Sequence, residues 1–269
     1  MNTRLRTHAP LAGAAVALML AAGSANAAPL PAGWSSVGNT GTNTAADGVV
    51  TLAPGFGSYQ WLSTNGGVNG AGRLQTPTGQ ETNGSFAQTP TFAVAAGDAL
   101  NFYFNYITSD GAQYTEYAWA GLFSGAGAGT FDSYLFTART TPSGDTVPGF
   151  GLPGLGAGVT LTPSSSAIIA GGPAFSPLGG SSGGCFGGVG QGCGYTGWIQ
   201  MNYTFTSAGI YSLGFGVTNA LDTAFDSAFA IAGVAINDVP IDGNPVPEPF
   251  TLALLGLGLA GVGVARRRR

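Results

Sequence analysis

The chain has 269 residues, with eight Lys and Arg together, twelve Asp and Glu, one His and a formal net charge of −4. Six of the eight arginines lie at the two ends (Arg4, Arg6 and Arg266 to Arg269), so residues 28–248 set two cations against all twelve acids, a net charge of −10. That balance excludes binding of nucleic acid or of anionic membrane surfaces, both of which need basic patches. The one histidine is His8 and there is no lysine, so from residue 28 onward a Ser-His-Asp triad, a lysine Schiff base and a His-ligated zinc site are also excluded.

The N-terminus reads as a secretory signal peptide. Arg4 and Arg6 precede an uncharged apolar run, Leu11 to Ala22, and the small residues Ser24 to Ala27 follow it. Charge, apolar run and an A-x-A exit in that order predict removal of residues 1–27 by signal peptidase, between Ala27 and Ala28. At twelve residues the run is too short to span a bilayer.

Residues 28–244 have the size of one domain. Within them, apolar and polar residues alternate in short runs bounded by Gly, Asn, Asp and Pro. The expected strands are, in order, Val49 to Leu52, Ser58 to Leu62, Phe86 to Val94, Leu100 to Tyr106, Tyr117 to Phe123 and Ser133 to Thr137. Further on, Trp198 to Thr206 and Tyr211 to Val217 alternate on either side of Ser207-Ala208-Gly209 and read as a hairpin. Ala228 to Ile236 is apolar in both phases, as a strand covered on both faces must be. About nine short strands without helices predict an all-β fold, an antiparallel two-sheet sandwich of jelly-roll type.

The segment of about residues 140–197 differs in composition. No charged residue lies between Thr146 and Leu221, and twelve of the twenty-seven residues from Gly171 to Gly197 are glycine. This predicts a Gly/Pro-rich irregular insertion, a surface flap ordered locally by a disulfide between Cys185 and Cys193, the only cysteines. Closing so short a loop contributes about 2–3 kcal/mol.

Candidate sites are few. Gly179 to Gly183 fits G-x-S-x-G, but no histidine is available to activate Ser181. A glycosidase needs two carboxyl groups roughly 5–10 Å apart in a cleft, and Glu81, Glu116 and Asp110 are the acids to inspect. No cofactor is expected. Asp222 and Asp226 before the last strand, with Asp238 after it, are candidate Ca²⁺ ligands or solvated turn acids. Tyr103, Tyr117 and Trp119, among several aromatics beside Asn, Gln and Asp, are candidate glycan contacts or core residues.

At the C-terminus, Asn244-Pro245-Val246-Pro247-Glu248-Pro249 precedes sixteen uncharged residues and then four arginines. The prolines keep the first part extended, and the uncharged run makes a helix of about 24 Å, marginal against a hydrocarbon core of about 30 Å. The arginines hold that end in the cytoplasm. Gly256 to Gly261 fits G-x-G-x-x-G, but inside an apolar helix its small residues serve close packing, not a dinucleotide.

The order of Val246, Pro247, Glu248 and Pro249, a Gly/Leu-rich apolar helix and a terminal arginine cluster resembles the PEP-CTERM sorting domain of Gram-negative bacteria. The resemblance covers residues 245–269 and implies a transmembrane helix recognised and removed by the membrane enzyme exosortase. It implies export, a transient inner-membrane anchor and a destination at the cell surface or in extracellular matrix. For the body, it leaves a non-catalytic structural role, a module holding exopolysaccharide, or a carboxylate glycosidase.

Overall fold

The computed structural model describes residues 27–141 and 143–241. Its first strands are β1 (Ser35–Val37), β2 (Asn39–Asn43), β3 (Tyr59–Ser63), β4 (Val68–Asn69), β5 (Glu81–Gln88), β6 (Phe92–Val94), β7 (Ala99–Thr108), β8 (Tyr117–Ser124) and β9 (Thr130–Ala138). They are followed by β10 (Asp145–Val147), β11 (Thr160–Thr162), β12 (Ser166–Ala167), β13 (Ile169–Ala170), β14 (Gly194–Tyr195), β15 (Ile199–Thr204), β16 (Gly209–Ala220), β17 (Ser227–Ile236) and β18 (Val239–Pro240).

Two antiparallel sheets result. The first runs β1-β5-β16-β8-β9, with β4 on β5 and β6 on β16. The second runs β11-β15-β7-β17-β3-β2, with β14 on β7, β13 on β14 and β18 on β17. The alternation in β7 sends Leu100, Phe102, Phe104 and Tyr106 into the space between them, all without exposed surface. There Phe104 stacks on Phe136 of β9 at 4.1 Å, and Phe102 meets Phe215 of β16 edge-on at 5.8 Å. Each such ring contributes about 1.5–3 kcal/mol on burial, which makes this aromatic layer the main cement of the sandwich.

The chain changes sheet repeatedly, from β6 to β7, β7 to β8, β15 to β16 and β16 to β17. The expected hairpin of residues 198–217 is therefore corrected. β15 pairs with β7 in one sheet, and β16 pairs with β8 and β5 in the other. Residues 205–208 form a corner between the layers, with Phe205 plugged into the core at 1% exposure. Val49 to Leu52 forms no strand; it is a tight turn closed by the Asp47–Val50 bridge. β17 lies between β7 and β3 and is covered on both faces, as its two-phase apolar pattern requires.

The stretch of residues 140–197 is not a detached flap. β11 extends the second sheet through β15, and β14 pairs Gly194 with Thr108 and Tyr195 with Ile107. Phe175 and Leu178 are fully buried against Val50, Tyr59, Ile107 and the alanines of β17, sealing the outer face of that sheet.

Candidate functional site

The outer face of the first sheet carries the aromatics that alternation turns away from the core. On β8 these are Tyr117, Trp119 and Phe123; Tyr134 of β9 joins them. They are not open to solvent, because residues 70–76 cross over them as a strap. Trp119 Nε1 donates to the Gly72 carbonyl at 2.8 Å. Leu74 N–H donates to the Tyr117 hydroxyl at 3.1 Å, and Gln75 N–H to the Tyr134 hydroxyl at 2.9 Å. Gly72 has φ +74°, and a β carbon on it would stand 2.1 Å from the Val217 carbonyl, so only glycine permits this approach.

Tyr117 and Trp119 have no exposed surface. As glycan contacts they are corrected: their rings hold the strap and leave no face free for a sugar. Tyr103 is half-buried on the opposite face of the molecule, 6.0 Å from the Phe56 ring. The three residues do not share a surface.

Tyr117 also reaches Glu81, donating to Oε1 at 2.6 Å. The same oxygen accepts from Thr78 N at 2.6 Å and Thr78 Oγ1 at 3.0 Å, and Oε2 accepts from Gly79 N at 2.9 Å. Burial pushes the Glu81 carboxyl up, but these donors outweigh it and hold it down at about 2. At neutral pH Glu81 is an anion tying a turn to the sheet.

The other two acids do come together. Glu116 and Asp110 are each 1% exposed. Glu116 Oε2 accepts from Thr108 Oγ1 at 3.2 Å and from Ser227 Oγ, while Asp110 Oδ1 accepts from Gly111 N at 2.6 Å. Asp110 Oδ2 and Glu116 Oε1 are buried without a hydrogen-bond partner. The two carboxyl groups are close enough to bias each other's ionisation, and the bias keeps the proton on Glu116. Burial, followed by the neighbouring Asp110 charge, raises Glu116 well above the carboxylate range. Asp110 is pushed up to about 6, first by burial and then by repulsion from Asp222, against the Gly111 N–H.

Asp226 stands beside them, accepting from Thr64 Oγ1 at 3.0 Å and Ser181 Oγ at 3.2 Å. Burial raises its pKa. The disulfide loop lies over this end of the sandwich. Cys185 and Cys193 are bonded, Phe186 N donates to Ser109 O at 2.9 Å, and Ala112 N donates to Gln191 O at 2.7 Å. The Phe186 ring meets Tyr114 at 5.0 Å and Phe225 at 5.4 Å. The carboxyl pair is thus roofed by a loop instead of opening on a cleft.

The candidate calcium ligands do not converge. Asp226 precedes β17 and Asp238 follows it, about 30 Å apart along ten residues of strand. Asp222 is half-buried and accepts from Ala224 N at 2.9 Å; Asp238 is exposed in the turn to β18. Among the described residues no three His, Cys, Asp or Glu side chains are placed to hold a metal ion.

Ala28 is bonded in both directions to Thr42 of β2, at 3.0 and 2.7 Å, and Ala27 beside it is exposed. Val246, Pro247, Glu248, Pro249 and the apolar run after them lie outside the described residues. No helix among the described residues is long and apolar enough to cross a membrane.

Two cations carry structural meaning that counting charges misses. Arg139 is 9% exposed, its guanidinium 5.4 Å over the Tyr117 ring and its Nη1 donating to Phe150 O at 3.3 Å. Burial lowers its pKa, and its Nε and Nη2 have no partner. Arg73, by contrast, lies on the strap and is exposed.

The family described as PEP-CTERM protein-sorting motif matches residues 245–269. No curated protein matches the chain. Among solved structures the chain is similar to the K3 cleaved adhesin domain of Lys-gingipain from Porphyromonas gingivalis W83. Identity is 15%, with 76% of this chain and 92% of that chain covered and a TM-score of 0.34. The K1 cleaved adhesin domain of the same protein is 12% identical over 76% and 92% of the two chains, with a TM-score of 0.31. A structure described as "CBM4 structure and function" is 9% identical over 76% and 93%, also at 0.31. Likeness at this level assigns no ligand and no role.

Proposed function

We propose, from a chain whose residues 245–269 are a PEP-CTERM protein-sorting motif, that this is an exported protein processed by exosortase, with a structural, non-catalytic body. In this reading signal peptidase removes residues 1–27 and the apolar C-terminal segment holds the chain in the inner membrane. Exosortase then cuts near Glu248, and the β-sandwich passes to the cell surface or the extracellular matrix. The sorting motif is the observation that carries the proposal.

The state of the acids supports a role without catalysis. Glu81 has both oxygens occupied by four donors within the fold. Asp110 and Glu116 are buried beneath the disulfide loop, 1% exposed each, with no cleft leading to them among the described residues. A glycosidase acid must instead face a substrate and a water.

Intact-mass analysis of the protein from its native host, with and without exosortase, tests the reading. Loss of residues 1–27 and of the segment after Glu248, the latter only when exosortase is present, is the expected result. A membrane-bound product retaining Phe250 to Arg269 in the presence of exosortase would overturn it.

A further inference from the structure

The strap that buries the aromatic face leaves a recess at its own edge. It is a shallow depression of about 360 Å³, widely open to solvent, between the strap and the short edge strands β1 and β4. That is within the range of small-ligand sites, roughly 300–1,000 Å³. Its apolar lining includes the exposed Val37 and Val68 and the half-buried Phe86, and its polar lining includes Asn69, Arg73 and Gln75.

Arg73 is what makes the recess unlike the rest of the surface. It is one of two cations in residues 28–248, against twelve acids, and the other is buried over Tyr117. Its guanidinium folds back over Gly70, 3.2 Å from where a β carbon on that glycine would stand. Among the described residues its one hydrogen bond is a long 3.5 Å contact from Nη2 to the Glu81 carbonyl. Among the described residues no hydrogen bond joins Arg73 to the Glu81 carboxylate, whose oxygens accept from Tyr117, Thr78 and Gly79. An exposed guanidinium with spare donors is a carboxylate fork.

The rest of the lining selects what carries the carboxylate. Half-buried Phe86, with Val37 49% exposed, presents an apolar wall suited to the C–H face of a ring. The amides of Asn69 and Gln75 offer both donors and acceptors for hydroxyls. A pyranose chair with one apolar C–H face, several hydroxyls and one carboxylate meets all three demands.

We propose that this recess binds a uronic-acid residue of an acidic polysaccharide, with Arg73 taking the carboxylate and Phe86 the ring face. The negative body does not forbid this. At physiological ionic strength its distant acids are screened beyond about 8 Å, whereas Arg73 is in contact. The inference goes beyond the proposed sorting and structural role and stands independently of the processing enzyme.

Isothermal titration of the full chain in detergent micelles, with empty micelles as blank, tests it. The probes are hexagalacturonate, maltohexaose and acetate. Hexagalacturonate should bind, maltohexaose should bind at least tenfold more weakly, and acetate should not compete at equal carboxylate concentration. Arg73→Gln, and separately Val37→Glu at the rim, should each weaken hexagalacturonate binding about tenfold or more, with melting temperatures unchanged. Absence of hexagalacturonate binding, undiminished binding by folded Arg73→Gln, or equal competition by acetate would each overturn the proposal.

Discussion

Tyr117 gives its hydroxyl proton to Glu81 across 2.6 Å while accepting the Leu74 N–H at 3.1 Å, so one buried phenol joins β8, the start of β5 and the strap. Burial of the phenol, followed by its bond to the Glu81 anion, raises the Tyr117 pKa far above its ordinary value. The hydroxyl stays a donor at every pH the protein meets. Tyr117→Phe removes that donor and orphans the Leu74 N–H, at a cost of about 1–3 kcal/mol. Urea unfolding should show the loss, and carboxyl NMR should show Glu81 titrating higher than about 2. An unchanged Glu81 titration would separate the two residues.

Stability should fall as pH rises through about 6. Asp110 and Glu116 have folded-state pKa values above their unfolded ones, so the native state holds protons that the unfolded chain releases. Their penalty is absent below the unfolded value near 3.8 and grows as pH climbs through the Asp110 value of about 6. Glu81 has the opposite sign: its contribution is present above the ordinary 4.5 and is lost as pH falls towards about 2. Melting temperature should therefore peak between roughly pH 4 and 5, and Asp110→Asn should flatten its decline on the alkaline side. A melting temperature that rises between pH 5 and 8 would contradict the raised pKa values of this buried pair.

Cys185→Ser should cost about 2–3 kcal/mol through the opened eight-residue separation. The effect should not stay local, since Phe186 bridges Tyr114 and Phe225. Limited proteolysis of the variant should cut near residues 110–115 and 222–225 as well as within 186–192. Cleavage confined to the disulfide loop would mean that the roof does not hold its neighbours.

Trp119→Ala should behave as a core deletion. It empties a fully buried site and frees the Gly72 carbonyl, at a cost of about 3–5 kcal/mol. Chemical denaturation should show that loss. A variant as stable as the parent would mean that the indole does not anchor the strap.

The strands were legible where one residue type repeated with period two, as at Leu100, Phe102, Phe104 and Tyr106, or where both faces were apolar, as from Ala228 to Ile236. Partnership between strands was less so. Ser207-Ala208-Gly209 serves a hairpin and a corner between layers equally well, and only the choice of β7 for β15 decides between them. The glycine-rich stretch lacked large side chains and looked detached, yet glycine is what permits its close backbone approach to the core. Asp110 and Glu116 were legible as acids, but their contact depends on the turn between β7 and β8. The strap was invisible because its attachments are mostly backbone groups meeting distant phenols and an indole. For the same reason Arg73 read as one charge among few.

The last long strand also sets an order of events. β17 is not an edge added to a finished sheet; it lies between β7 and β3, and the β2-β3 pair is not joined to the rest of the second sheet until it arrives. The sorting motif begins at residue 245, only nine residues later. A chain emerging N-terminus first cannot close its core until the sorting signal has all but emerged too. Completion of the body and presentation of the tail are thereby synchronised, and a chain cut short before β17 would lack both a closed core and the means of being sorted.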